Sequence, residues 1–463
     1  MNASCCPETA VCNGDKTLTF ESGSVSISGC MRRALMIGLL SIWSIPGNAQ
    51  QGLPAPNESS VTDCAHFLPY SPDPNHLWNR VHQQLLDRRD KSGTLWGCDE
   101  VDPLLWPQTK GILARHTYTQ TIRLLDQFIR THGERLVHDP LRRALFQRDL
   151  WAVFDWAAEP YTYKYQSERV ELEERLAQII EAVALTPTEI QHLPDNYEAL
   201  LDAHDAVLAR DGFELPSNSP GWMLIGRDDG TPAAPVHSFA FPRSVFLVYL
   251  HLPPGSDIAA YIDSIHSYSR RRPLGDDCFA HPCDPPQFPI GTELALVRRA
   301  ILIDSTGHAL VSPITEDVQL RRYREIPSNQ SFDFQGMQEL AEFQLTRWGL
   351  LHGDPGLRRI DKQEAQFTVF ATHGSDYFET GAEPRFPALK RCHSCHQGVG
   401  VISFTTYSRV QFANERDDGN GGTATSRMFV SLSASGGAAE DMAAIMYLKS
   451  RDSWQLLRKL MGR

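Results

Sequence analysis

Two cysteines and a histidine near the C-terminal end of the chain have the spacing needed to hold a porphyrin. They form the run Cys392-His393-Ser394-Cys395-His396, a C-x-x-C-H pattern. Two sulfurs three residues apart can form thioether bonds to the two vinyl groups of one haem, and the adjacent histidine can ligate the iron. The motif therefore predicts one covalent haem c, attached through Cys392 and Cys395 and ligated by His396.

The sixth iron position decides what such a haem can do. Met428, about 32 residues after His396, is the leading candidate for a second metal ligand, and His373 is another. A strong side-chain ligand lets the iron change oxidation state with little rearrangement, so that the protein passes electrons. An open position would instead admit small molecules, with His373, Asp376 or Arg409 as proton-handling neighbours.

The same two cysteines also permit a zinc interpretation. Cys278 and Cys283 with Cys392 and Cys395 would supply four thiolates. About 109 residues separate the two pairs, whereas a structural zinc site usually draws its ligands from one compact unit. Haem is therefore the better account, and a non-haem, exported binding protein stabilised by zinc or disulfides is a further alternative.

An apolar run early in the chain predicts export. Arginines follow Met31, residues 34–45 are mostly apolar, and Gly47-Asn48-Ala49 offers a small-residue cleavage site. The apolar run is about 12 residues long, shorter than the roughly 20 that cross a bilayer. Residues 31–49 are thus expected to be a signal peptide on a periplasmic or secreted protein with no stable membrane span, and residues 1–30 an upstream mis-start or a disordered segment.

Export would also affect how many cysteines remain in the protein and whether they form disulfides. Cleavage before Gln50 would leave six of the ten cysteines, of which two belong to the haem motif. Cys64 with Cys98, and Cys278 with Cys283, could then form disulfides in an oxidising compartment, or remain as buried thiols.

Composition limits the remaining functions. A chain of 463 residues is too long for one hydrophobic core and suggests two or three domains. Its formal net charge of -12 argues against nucleic acid or anionic lipid as a partner. The G-x-S-x-G, G-x-x-x-x-G-K-[ST] and H-E-x-x-H motifs do not occur in the sequence. The expected partner is a redox protein or a small-molecule electron donor or acceptor.

Hydrophobic periodicity indicates the elements that must position the motif. Apolar residues spaced three and four apart, as in residues 141–156, predict helices, with Trp151 and Trp156 as packing residues. Runs rich in β-branched and aromatic residues, such as 245–252 and 294–303, predict strands. A closing amphipathic helix is expected from Ala438 to Met461, with Met442 and Met446 among its packing residues.

These elements predict an α+β fold with an N-terminal helical domain, a small mixed or antiparallel sheet and a C-terminal, mostly helical c-haem segment. The expected divisions are a linker at 50–75, the helical domain at 76–211, the β-rich domain at 212–350 and the haem-binding segment at 351–463.

Parts of this pattern resemble two families. The last 75 or so residues resemble small c-type cytochromes, which implies haem binding and electron transfer. Phe288-Pro289-Ile290-Gly291-Thr292, the strand after it, the strand Ile314 to Tyr323 and the late C-x-x-C-H run resemble the hydroxylamine-oxidising cytochromes whose c-haem is cross-linked to a lysine. That resemblance implies a haem lying on a small antiparallel sheet with an open iron. The expected function is an exported mono-haem electron carrier; the alternative is an open-site haem oxidoreductase of peroxidase or small-nitrogen-compound type.

Overall fold

The structure is a computed structural model of the chain. The residues that it describes are 64, 66–89, 95–102, 110–113, 115–158, 165–207, 212–216, 221–226, 230–271, 286–326, 338–360, 365–367, 385–387, 389, 396, 400, 401, 403, 431–433 and 437–463.

Helices dominate the first half of this described part and return at its end. They are α1 (Leu77–Leu85), α2 (Lys110–Leu113), α3 (Arg115–Arg130), α4 (Pro140–Ala158), α5 (Gln166–Ala182), α6 (Pro187–Gln191), α7 (Asn196–Val207), α8 (Pro235–Ala240), α9 (Ile258–Arg271), α10 (Arg347–Leu351), α11 (Ala438–Ser450) and α12 (Asp452–Leu460). Within the described residues, no helix is both long and apolar enough to cross a membrane.

The described strands form one large antiparallel sheet and two small two-stranded antiparallel sheets. They are β1 (Arg88–Arg89), β2 (Leu95–Trp96), β3 (Trp222–Gly226), β4 (Ser244–His251), β5 (Glu293–Ile303), β6 (Ala309–Tyr323), β7 (Gln338–Leu345), β8 (Leu357–Arg359), β9 (Ala365–Phe367), β10 (Arg385–Pro387) and β11 (Ser431–Ser433). The large sheet has the order β11-β3-β4-β5-β6-β7-β8. The predicted α+β class is confirmed, and the sheet is antiparallel, with seven strands among the described residues.

One face of the large sheet packs against the helices. Strand residues alternate between the two faces, and Val245, Val297 and Val318 point into the core that also contains α4. Trp151 and Trp156 of α4 are buried in this core, as predicted. The helical region and the sheet thus share one hydrophobic core.

The closing helix differs from the prediction in two ways. It is interrupted at Arg451, whose backbone is extended, and becomes α11 and α12. Met442 and Met446 are 64% and 60% exposed, so their predicted role in packing was wrong. Leu448 and Trp454 are buried, but a spacing of six residues puts them on different faces of a continuous helix. The break lets both contact the core.

Buried ion pairs fasten α4 to the sheet. Arg148 donates to Glu316 Oε1 at 2.5 Å and lies 2.8 Å from Asp102 Oδ2. It also donates to the backbone oxygens of Arg243 at 2.6 Å and Ile301 at 3.1 Å. Burial alone would raise the pKa of Asp102, but nearby guanidinium groups, led by that of Arg148, lower it to about 2. Helix α4 and the sheet are therefore connected through buried, desolvated charged groups.

A second buried network joins the N-terminal segment to the sheet edge. Arg347, at the start of α10, donates to Asp149 Oδ1 at 2.6 Å and to the hydroxyl oxygen of Tyr70 at 2.9 Å. Tyr70 in turn donates to Asp149 Oδ2 at 2.6 Å. Nearby, Cys64 and Cys98 form a disulfide, which is one of the two predicted pairs. The other, Cys278 with Cys283, lies outside the described residues.

Glu173 on α5 carries a buried carboxyl group, and the pH dependence of protein stability tests the effect of that burial. Its side chain is buried, and Arg169 Nε lies 3.6 Å from its Oε1, too far for a hydrogen bond. Burial raises the pKa of Glu173 to about 7. The folded state therefore holds this proton more tightly than the unfolded state, and the stability tied to it is lost as the pH rises from about 4.5 through 7.

We expect Glu173→Gln to raise the free energy of unfolding at pH 8 by about 1 kcal/mol, after allowance for solvent screening, because glutamine carries no charge to desolvate. At pH 4 the two proteins should be equally stable, since the carboxyl is then protonated in both states. Urea unfolding at both pH values measures the difference. The matched control is Glu198→Gln, at an exposed position of α7; an equal gain there would contradict the assignment to burial.

Candidate functional site

Of the residues that the sequence singled out, the structure describes His396. The remaining candidates lie outside the described residues: Cys392, Cys395, Met428, His373, Asp376 and Arg409. The site is therefore built from His396 and from its surroundings on the sheet face opposite the helical core.

His396 is held by a hydrogen bond from its ring. Its Nδ1 lies 2.9 Å from the backbone oxygen of Ser403. A carbonyl oxygen only accepts, so Nδ1 must carry the proton and donate. In a neutral imidazole the other nitrogen, Nε2, then carries no proton. Histidines that bind metals are usually oriented by such a bond from the nitrogen that does not ligate.

The turn that supplies this oxygen is fixed to the sheet. Gly400 adopts a φ of +51°, and a side chain there would meet Gln287. The same Gln287 accepts a hydrogen bond from the backbone N–H of Val401 at 2.9 Å, and Val401 is fully buried in the apolar cluster of this face. The hydroxyl of Ser403 closes the turn by donating to the Gly400 oxygen at 2.8 Å. The Ser403 oxygen that accepts the hydrogen bond from His396 is thus held in place.

Tyr323, near the end of β6, ties this turn to the strand. Its hydroxyl lies 2.7 Å from Ser403 Oγ. Since Ser403 donates to Gly400, Tyr323 must be the donor here. Burial raises the pKa of Tyr323, so this donor keeps its proton at neutral pH. A buried chain of hydrogen bonds therefore runs from β6 through Ser403 to the turn that holds His396.

A second histidine lies beside His396. The ring centre of His237, on α8, is 6.1 Å from that of His396, and the two ring planes are inclined by only 16°. His237 also packs against Phe246 of β4, with ring centres 5.4 Å apart. Within the described part of the chain, no hydrogen bond to its ring nitrogens is found. This side chain was not singled out by the sequence.

The surroundings keep His237 neutral. Burial, followed by the positive charges of Arg321 and Arg298, lowers its pKa to about 4. Arg298 is paired, with its Nε 3.0 Å from Glu316 Oε2. Among the residues that the structure describes, Arg321 has no carboxylate partner, and its Nη1 lies 3.5 Å from Ser403 Oγ. The site therefore combines two imidazoles with positive charge.

A pair of buried carboxyl groups lies on the same face of the sheet. Asp317 accepts from Gln319 at 2.7 Å, and Glu342 accepts from Gln344 at 2.7 Å. Burial, and then the nearby Glu342, raises the pKa of Asp317 well above its usual value. The pair therefore binds a proton more tightly than an isolated carboxylate would, as two carboxylates that share a site commonly do.

No similarity to known proteins guides the interpretation of this site. Comparison of the chain with protein-family models, with curated proteins and with solved structures gives no match. The function is therefore inferred from the C-x-x-C-H motif and from the geometry around His396.

Proposed function

We propose that this chain is an exported, mono-haem c-type cytochrome-like protein that binds one haem c covalently and transfers electrons. The observation that carries the proposal is the hydrogen bond from His396 Nδ1 to the Ser403 oxygen, at 2.9 Å, in the histidine of the C-x-x-C-H run. That bond leaves Nε2 unprotonated, which is the state an iron ligand requires.

The residues present fit such a group. Cys392 and Cys395 would form the two thioether bonds, and His396 would ligate the iron from the proximal side. When bound, haem supplies a one-electron redox couple. The chain's own residues orient the ligand: the turn at Ser403 fixes the ring of His396, and Tyr323 fixes the turn.

The charges near the site bear on the redox equilibrium. Arg321 and Arg298 already act electrostatically on the adjacent His237, where they oppose an added positive charge. Oxidation of a bound haem would add one positive charge, so the nearby guanidinium groups would favour its reduced form and raise its reduction potential. A redox protein or a small-molecule donor or acceptor would exchange the electron, outside the cytoplasm.

The proposed function is tested by detecting haem that is covalently attached to the protein. The mature chain should be expressed with a haem-attachment system, separated on a denaturing gel and stained for haem peroxidase activity. We expect the wild type to carry haem and Cys392→Ala/Cys395→Ala to lose it completely, because the thioether bonds would have no sulfur.

The matched control is Cys278→Ala/Cys283→Ala, which removes two other cysteines and should retain haem. Zinc should be measured in the same preparations. A wild-type protein with stoichiometric zinc and no covalent haem would contradict the proposal, and so would haem that stays attached to the Cys392→Ala/Cys395→Ala protein.

A further inference from the structure

We propose that Arg321, with His237 beside it, binds a small monovalent oxyanion of the carboxylate type. The site lies on the sheet face opposite the helical core. The inference goes beyond the proposed function and does not depend on it, because neither residue belongs to the C-x-x-C-H run.

The guanidinium of Arg321 carries the proposal because its charge is not neutralised by a carboxylate. Its contacts in the described part of the chain are Ser403 Oγ, which lies 3.5 Å from Nη1, and the Tyr323 hydroxyl. Both are neutral groups, and 3.5 Å is too long for a strong hydrogen bond. The residues directly opposite on β5 and β7 are Leu294 and Leu340, which carry no charge. A half-buried guanidinium is thus left with unused donors and an unbalanced charge.

Arg298, on the neighbouring strand β5, shows how an arginine with a structural role is paired on this face. Its Nε lies 3.0 Å from Glu316 Oε2, and its Nη2 pairs with Asp102. Arg298 also acts electrostatically on the Asp317 carboxyl. The charge of Arg298 is therefore balanced by the protein itself, in contrast to that of Arg321.

His237 places a second polar group next to Arg321. Arg321 is the charged residue that acts most strongly on its ring, so the two side chains are near each other. Ser403 connects them in space, because its backbone oxygen contacts His396, whose ring centre is 6.1 Å from that of His237. On its other side the His237 ring packs against Phe246, with ring centres 5.4 Å apart. The imidazole is thereby held beside the guanidinium.

Solvent reaches both side chains. Arg321 and His237 are half-buried. Among the described residues, several have a nitrogen that is both buried and without a partner, but these two do not. Their unused nitrogens are therefore open to water, and a small ion can approach them along the same path.

The chemistry of the two groups selects the ligand. A guanidinium is planar, and its parallel N–H donors match two oxygens that lie in one plane. One unbalanced positive charge is neutralised by one negative charge, and a neutral imidazole can donate a further hydrogen bond through its N–H. Chloride has the same charge as a carboxylate but lacks the paired oxygens. The site should therefore bind a small carboxylate in preference to chloride.

The experiment uses acetate as the probe and the mature chain, expressed with a haem-attachment system. Isothermal titration calorimetry at pH 7 in a zwitterionic buffer measures binding, with sodium chloride at the same concentration as the comparison. We expect acetate to bind at one site and to raise the unfolding temperature more than chloride does, because a ligand that binds only the folded state stabilises it.

Variants assign this binding to the two residues. Arg321→Gln should weaken acetate binding by about tenfold to a hundredfold, because it removes the charge and the paired donors. Arg321→Lys keeps the charge without the planar donors, and His237→Phe keeps a ring without nitrogens; each should weaken binding by about threefold to tenfold. The matched control is Arg324→Gln, at a side chain that is 53% exposed and already paired with Glu339 at 2.8 Å, which should bind acetate as the wild type does.

Several results would overturn the inference: equal effects of acetate and chloride on the wild type, wild-type affinity in a folded Arg321→Gln protein, or an equal loss in Arg324→Gln. If Arg321→Gln does not fold, wild-type affinity in both Arg321→Lys and His237→Phe would overturn it instead. Staining for covalent haem in the same preparations separates the two proposals. Haem without acetate binding contradicts this inference alone, and acetate binding without haem contradicts the proposed function alone.

Discussion

Replacement of Arg148 by methionine is expected to lower the free energy of unfolding by about 3–5 kcal/mol, the usual cost of removing one partner from a buried ion pair. Methionine fills much of the space of the arginine stem, so the loss is mainly electrostatic. Glu316 and Asp102 would keep their negative charges inside the protein with fewer partners. Two backbone oxygens, those of Arg243 and Ile301, would also lose a donor. Urea unfolding at pH 7 measures the change.

Two further variants separate charge from packing. Arg135→Met, at a side chain that is 73% exposed, should change stability by no more than about 0.5 kcal/mol. The double variant Arg148→Met/Glu316→Gln should be more stable than Arg148→Met alone, because it removes one of the two buried negative charges that Arg148 no longer neutralises. Equal losses in the single and double variants would show that the stability comes from packing.

Replacement of Arg347 by methionine is the other change with a large expected effect, again about 3–5 kcal/mol. Arg347 is fully buried, and its guanidinium contacts Asp149 and the Tyr70 hydroxyl. Burial alone would raise the pKa of Asp149, but the surrounding charges, led by Arg347, lower it. Without the guanidinium, that carboxylate would be left with Tyr70 and His82 as partners. Thermal and urea unfolding at pH 7 both measure the loss.

The comparison for Arg347 is Tyr70→Phe. This change removes one hydroxyl that joins the same groups but leaves the Arg347–Asp149 ion pair, so we expect a loss of about 1–2 kcal/mol. If Tyr70→Phe were as damaging as Arg347→Met, the hydroxyl rather than the charge would hold this network together.

Much of the fold follows from local pattern. The apolar run at 245–252 became β4 (Ser244–His251), and that at 294–303 became β5 (Glu293–Ile303), because β-branched residues suit a buried pleated strand. The apolar pattern in residues 141–156 also correctly predicted that α4 is buried. The break at Arg451 was missed because the sequence has no proline or glycine there; it follows from contacts that α11 and α12 make with different parts of the core.

The site could be predicted only in part. The C-x-x-C-H run indicates His396 because its chemistry is local in sequence. His237 carries no such signal: α8 is six residues long, and its approach to His396 depends on how β4, β5 and β6 pair. The support that Tyr323 gives to the Ser403 turn was missed for the same reason, since this contact joins residues 80 positions apart.

The position of Arg148 has a consequence for tracing the ancestry of this chain. A buried helix position normally drifts among apolar residues of similar size, which leaves little to align between distant relatives. At Arg148 such drift would take one positive partner from both Glu316 and Asp102 inside the protein, so the three residues should change together or not at all. Candidate relatives are therefore better sought by this long-range set of charged residues than by the short haem motif, which unrelated chains can acquire independently.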